Sequence, residues 1–218
     1  YQYTYKEDIS IERARQYLNL PQEAFIVTAF GKFRNWEEIR MVAGAFSKWN
    51  EKNKLLLAPR FYPFSRYNSY GRNILKRWAS RIGYYLAIPL LNRMFNLQAG
   101  ANDELIDNCD LPYYIAASDV IFIQRKDILN SGNVPLGFLY HKVVMGPKVG
   151  NIGELLSETG NPTFDPDNKQ DILRALKEAR RLATWGQGEV NYAYGMENMS
   201  IRKVGQAYAQ TYKQASNG

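Results

Sequence analysis

Apolar residues fall along this chain in short unbroken runs, separated by stretches in which they recur at helical spacing. AFIVTAF (Ala24–Phe30), KLLLAP (Lys54–Pro59) and DVIFIQ (Asp119–Gln124) are the continuous runs expected of parallel strands covered on both faces. FNLQA (Phe95–Ala99) reads as a shorter strand, and Val143-Val144-Met145 is a further compact apolar run. Ser10 is a good N-cap for a helix over Ile11–Leu20, which Pro21 ends. Asn35 heads a helix to Trp49, with Ile39, Val42 and Phe46 along one side. Asp103–Ser118 reads as helical but divided at Pro112. A helix over Ile172–Ala183, started by Asn168 or Asp171, is followed by a break at Gly186-Gln187-Gly188. Ser200–Lys213, with Ile201, Val204, Tyr208 and Tyr212 on one side, closes the chain.

Strands alternating with helices predict βαβ units, hence an α/β fold: a Rossmann-like, mostly parallel sheet flanked by helices. In such a sheet the loops after the strands share one edge, and ligands bind there. The stretch Asp127–Leu156 follows the strand that ends at Gln124. It opens with the turn Asn130-Ser131-Gly132-Asn133 and continues through apolar Val134–Tyr140. Turns at Gly146-Pro147 and Gly150-Asn151 then lead to the opening of a helix at Ile152. Small and polar residues between a strand and a helix can present free N–H groups to an anion, which makes Asn130, Ser131, Gly132 and Asn133 phosphate-binding candidates. A plain turn with an N-cap is the alternative. Lys32 and Arg34 follow the first strand and could neutralise a diphosphate, or they are solvated loop charges. Lys126 could assist from the other loop. His141, the only histidine, flanks a helix end and reads as a C-terminal cap or an exposed residue rather than an acid/base.

The 218 residues suffice for one large domain: a linker and entry helix (1–22), an insertion (60–95) and a C-terminal helix (197–218) around a single core. A net charge of +7 suits an anionic partner, although solubility alone explains it equally well. The single cysteine, Cys109, excludes an internal disulfide, fits a reducing compartment and has no Cys or His partner at metal-ligand spacing. No signal pattern is visible, and the apolar run Tyr84–Leu91 is too short to span a bilayer. A cytoplasmic protein is expected. Between Arg60 and Tyr85 six basic residues are interleaved with aromatics. The plainest reading is an insertion whose aromatics pack while its charges face water. Peripheral contact with the inner face of a membrane comes second and nucleic acid last.

Strand, then Gly31-Lys32-Phe33-Arg34, then an aromatic-led helix, resembles the opening of the donor half of GT-B glycosyltransferases of the group 1 type. ASDVIFIQRKDILNSGNVPLGFLYHKVVMGPKVGNIGELL resembles that family's later region, and ISIERARQYLNLP its helix before the first strand. The resemblance implies one half of a GT-B fold: a Rossmann-like domain that binds a nucleoside-diphosphate sugar. That sugar would be the donor substrate, with no cofactor and no metal. A separate N-terminal domain, the partner this chain would lack, would hold the acceptor. The implied activity is sugar transfer, in polysaccharide or glycoconjugate synthesis, and is not expected of this half alone. The resemblance assigns Glu154 to ribose or sugar hydroxyls, and the same glutamate could equally serve the helix dipole. It assigns Gly100 and Ala101 to the base. There are departures: Ile128 and Leu136 stand where the family's two glutamates would fall, Glu37 stands near an expected lysine, and His141 replaces a usual glycine. A non-catalytic Rossmann-like binding module is the alternative.

Overall fold

A computed structural model describes residues 9–61, 97–99, 105–199 and 201–216. Its elements run α1 (Ile11–Tyr17), β1 (Phe25–Thr28), α2 (Trp36–Lys48), β2 (Lys54–Ala58), β3 (Leu97–Ala99), α3 (Leu111–Ala117), β4 (Val120–Phe122), α4 (Asn133–Leu139), β5 (Val143–Pro147), α5 (Gly150–Glu158), β6 (Thr163–Phe164), α6 (Lys169–Thr184), α7 (Gln187–Asn198) and α8 (Ile201–Ser216). The basic-aromatic run from Tyr62 onward, the helix expected after it, and Gly100 and Ala101 lie outside the described residues.

Among the described residues six strands pair in the order β3-β2-β1-β4-β5-β6, and each of these pairings is parallel. The expected Rossmann-like α/β sheet is therefore present. Period-two alternation sorts the apolar strand residues onto two faces. Phe25, Val27, Val120, Phe122, Val143 and Met145 point to one face, where Val42 and Phe46 of α2 and Ile172, Leu176 and Ala179 of α6 cover them. Ile121 and Val144 point to the other, under Leu136 and Phe138 of α4 and Ile152 and Leu156 of α5. Ile26, Leu55 and Leu57 share that second face with Ala14 of α1 and Ala116 and Ala117 of α3. Burial on both faces is why the strands read as unbroken apolar runs.

Three expectations are corrected. Pro112 does not divide a helix; it sits in the first turn of α3, where its missing N–H costs nothing. Gly146-Pro147 is no turn but the end of β5, where Gly146 N–H donates to Pro162 O at 3.2 Å and β6 pairs alongside. The residues after Gly186 are not merely a break: Gly186 takes a left-handed conformation (φ 85°) and α7 follows at once.

Candidate functional site

The strand order reverses between β1 and β4. The helix after β1 covers one face of the sheet and the helix after β4 covers the other, and a switch point of this kind is where open α/β sheets place their ligands, at the carboxyl edge. Lys32 and Arg34 belong to the first loop; Lys126, Asn130, Ser131 and Gly132 belong to the second, with Asn133 opening α4. The fold thus brings these candidates to one edge. His141, just before β5, stands at the opposite edge.

The first loop is held by its own chemistry. Asn35 caps α2 by accepting the Glu38 N–H (2.9 Å), and the Glu38 carboxylate accepts the Arg34 N–H (2.8 Å), a reciprocal capping arrangement. Glu38 is only 3% exposed, and Arg125 Nη1 lies 2.9 and 2.8 Å from its two oxygens. Gln124 Nε2 donates to Gly31 O between the two loops, in the space a side chain at Gly31 would fill. Arg125 and Gln124 therefore stitch the two loops together. Lys32 is half-buried and engaged within the protein. Arg34 is exposed, and among the described residues nothing pairs with its guanidinium.

Lys126 Nζ lies 2.5 Å from Asp167 Oδ1 and 3.4 Å from Glu37 Oε2. Hydrogen bonding to Asp167, reinforced by the charges of Asp167 and Glu37, raises the Lys126 pKa above the ordinary lysine value. In the second loop, Ser131 Oγ accepts the Asn133 N–H (3.2 Å) and Ser131 O the Val134 N–H (3.2 Å). Gly132 O accepts the Leu136 N–H (3.3 Å), and Pro135 has no N–H to give. The first-turn amides of α4 are thus engaged within the loop and helix. Asn151 at the start of α5 donates to Asn130 Oδ1 (3.3 Å), and Gly150 has φ 54° with its Cβ position 2.7 Å from Ile128 O. A third loop end, after β5, is thereby packed against the second. Glu154 is exposed about one turn into α5.

Sequence reasoning missed Gln124, Glu38, Arg125 and Asp167. The spacing Asn35-x-x-Glu38 is a capping-box signature that could have revealed Glu38. No local signal marks the pairing of Arg125 or Asp167, because each partner comes from a distant segment of the chain. Asp165-Pro166-Asp167 is an Asp-x-Asp tripeptide turned to protein partners: Asp165 Oδ1 accepts the Asp167 N–H (2.9 Å) and Asp167 pairs with Lys126. Among the described residues, metal-ligand atoms converge at Asp107, Cys109 and Asp110, where Asp110 Oδ1 accepts a hydrogen bond from Tyr17 OH (2.9 Å). These side chains are exposed or half-exposed. An acidic group of this kind is common on surfaces and assigns no ion.

No family model matches the chain, and no curated protein matches its sequence. Solved structures do match. Sucrose-phosphate synthase from Thermosynechococcus elongatus superposes with a TM-score of 0.66 at 18% identity, over 94% of this chain and 48% of that one. HepE from Anabaena in complex with UDP-glucose gives 0.67 at 14% identity, over 94% and 52%. The C-terminal domain of the group 1 family glycosyl transferase LpcC from Francisella tularensis gives 0.63 at 11% identity, over 90% of this chain and 95% of that domain. The chain spans about half the length of the two longer proteins and nearly all of the isolated domain. With its all-parallel sheet and the switch point between β1 and β4, this chain has the fold of the C-terminal domain of GT-B glycosyltransferases of group 1.

Proposed function

We propose that this chain is the donor-binding domain of a glycosyltransferase that uses a nucleoside-diphosphate sugar, in polysaccharide or glycoconjugate synthesis. The observation that carries the reading is the switch point between β1 and β4, in a fold shared with a protein solved with UDP-glucose. In this reading Arg34 and Lys32 face the diphosphate, and the polar turn Asn130-Ser131-Gly132-Asn133 lines its other side. Glu154 takes ribose or sugar hydroxyls, and Gly100 and Ala101 the base. As the glycosidic bond breaks, negative charge grows on the departing diphosphate. Arg34 holds two oxygens with its planar fork, so its contact strengthens as that charge develops. The group that deprotonates the acceptor, and the acceptor itself, belong to the other half of the enzyme. A cytoplasmic location, with contact at the inner membrane face, suits a lipid-linked acceptor. Among the described residues no helix is long and apolar enough to cross a membrane.

One set of contacts favours the non-catalytic reading instead. Arg125 and Lys126 are already paired with Glu38, Glu37 and Asp167, and the α4 amides are engaged. Calorimetric titration with UDP and with GDP decides between the two. Donor binding predicts saturable binding of one nucleotide, weakened about tenfold by Arg34→Ala with the fold intact, the loss of one charge-assisted contact. No binding at millimolar nucleotide leaves the binding-module reading.

A further inference from the structure

Lys126 occupies an unusual electrostatic position for a residue at the mouth of an anion site. Its ammonium touches carboxylates from two other segments, Asp167 between β6 and α6 (2.5 Å) and Glu37 in the first turn of α2 (3.4 Å). One cation therefore ties together three of the chain segments that border the carboxyl edge. Asp167 is presented by a rigid turn: Asp167 N–H donates to Asp165 Oδ1 (2.9 Å), Asp165 N–H donates to Asp171 Oδ2 (2.7 Å), and Asn168 caps α6 at once afterwards. Glu37 is fixed at its backbone by the capped start of α2. The moving part is the long lysine side chain. Two carboxylates share the one ammonium, so while it is paired Lys126 offers an arriving anion little attraction. Both carboxylates are exposed, so the pairs are weak enough for a polyanion to displace.

We propose that Lys126, Asp167 and Glu37 form an anion-sensitive latch: closed in the free domain, and opened when a diphosphate takes the ammonium from its two carboxylates. Arg125 cannot play this part, since its partner Glu38 is buried and anchors the β1 loop. Lys126 has exposed partners and lies in the loop after β4, on the edge it shares with Arg34. The latch rests on the donor-binding reading above. It makes Asp167 a brake on nucleotide affinity, although Asp167 need not touch the nucleotide.

The test is a double-mutant cycle on Asp167→Asn and Lys126→Gln, titrated with UDP and with GDP and evaluated with whichever binds. Circular dichroism verifies that each variant is folded. The latch predicts that Asp167→Asn tightens nucleotide binding by roughly two- to fivefold, the scale of an exposed charge pair. It also predicts that Lys126→Gln weakens binding, and that much of the gain from Asp167→Asn disappears when Lys126 is already glutamine. If the wild type binds nucleotide and Asp167→Asn binds equally well, or the gain is undiminished without Lys126, the latch is overturned and the donor-binding reading survives. If wild type and variants all bind neither nucleotide, both fall.

Discussion

Lys142 carries an ammonium into the interior beside β5. It is 7% exposed, and its Nζ donates to Ala116 O at 2.9 Å. The nearby carboxylate, Asp119, is already paired with Arg15 at 2.9 Å. Burial drives the Lys142 pKa down from its ordinary 10.5 to about 8, and the positive charge of Arg15 adds to this while Asp119 opposes it. A base with a lowered folded pKa binds fewer protons folded than unfolded within that window, so stability rises with pH between about 8 and 10.5. Below the window the burial cost is fully present, roughly 3 kcal/mol at most. Lys142→Met therefore stabilises the protein at pH 7 by about 1–2 kcal/mol after loss of the Ala116 hydrogen bond, and it flattens the alkaline rise. Urea unfolding at pH 7 and pH 10 checks this, and a variant less stable at pH 7 would contradict it. Nothing local in the sequence marks Lys142 as buried. It lies between an exposed histidine and a strand, and only the approach of α3 and α7 covers it.

At the scale of elements, α4 ends and α7 begins around the same carbonyl. His141 adopts φ 56° just past the C-cap of α4; its N–H donates to Phe138 O (3.1 Å) and the Lys142 N–H to Gly137 O (2.9 Å). This is a Schellman cap, so the expected capping role of His141 holds, and a left-handed cap suits the glycine usual at this place in the family. The ring of His141 lies outside, stacked on Tyr192 (4.0 Å between centroids) with Nδ1 2.9 Å from Glu189. Beneath it the first turn of α7 packs so closely that a Cβ on Gly188 would overlap the His141 carbonyl. Asn191, fully buried one turn later, donates to Lys142 O and Asn161 Oδ1, both at 2.9 Å. Gly188→Ala forces backbone apart and is expected to destabilise by about 1–3 kcal/mol, read as a lowered thermal midpoint. An unchanged midpoint would show that α7 does not need this close approach. The same packing explains why α7 escaped the sequence reading: its buried positions are Gly188, Asn191 and Gly195, so it has no apolar stripe to read. The neighbouring α6, with Ile172, Leu176 and Ala179 buried along one side, was plain.

For the whole molecule, the sheet order and the length of the chain matter together. The chain matches about half the length of the two longer similar structures. In the donor-binding reading proposed above, where another domain holds the acceptor, this chain by itself is expected to bind nucleotide weakly and to transfer no sugar from UDP-glucose. Sustained transfer by the chain alone, followed by chromatography of the products, would refute that. Much of this architecture was legible beforehand. Unbroken apolar runs at Phe25–Thr28, Leu55–Ala58 and Val120–Phe122 mean strands buried on both faces, and amphipathic helices between them require parallel crossovers. The loop residues Lys32, Arg34, Lys126 and Ser131 could be assigned to one edge for the same reason. These inferences work because strand alternation and helix period are local properties, written in neighbouring residues. The tertiary structure alone decided which charges remain available. It paired Arg125 with Glu38 and Lys126 with Asp167 and Glu37, and it left Arg34 exposed. Such pairings join residues dozens of positions apart, and their geometry depends on how the folded loops meet.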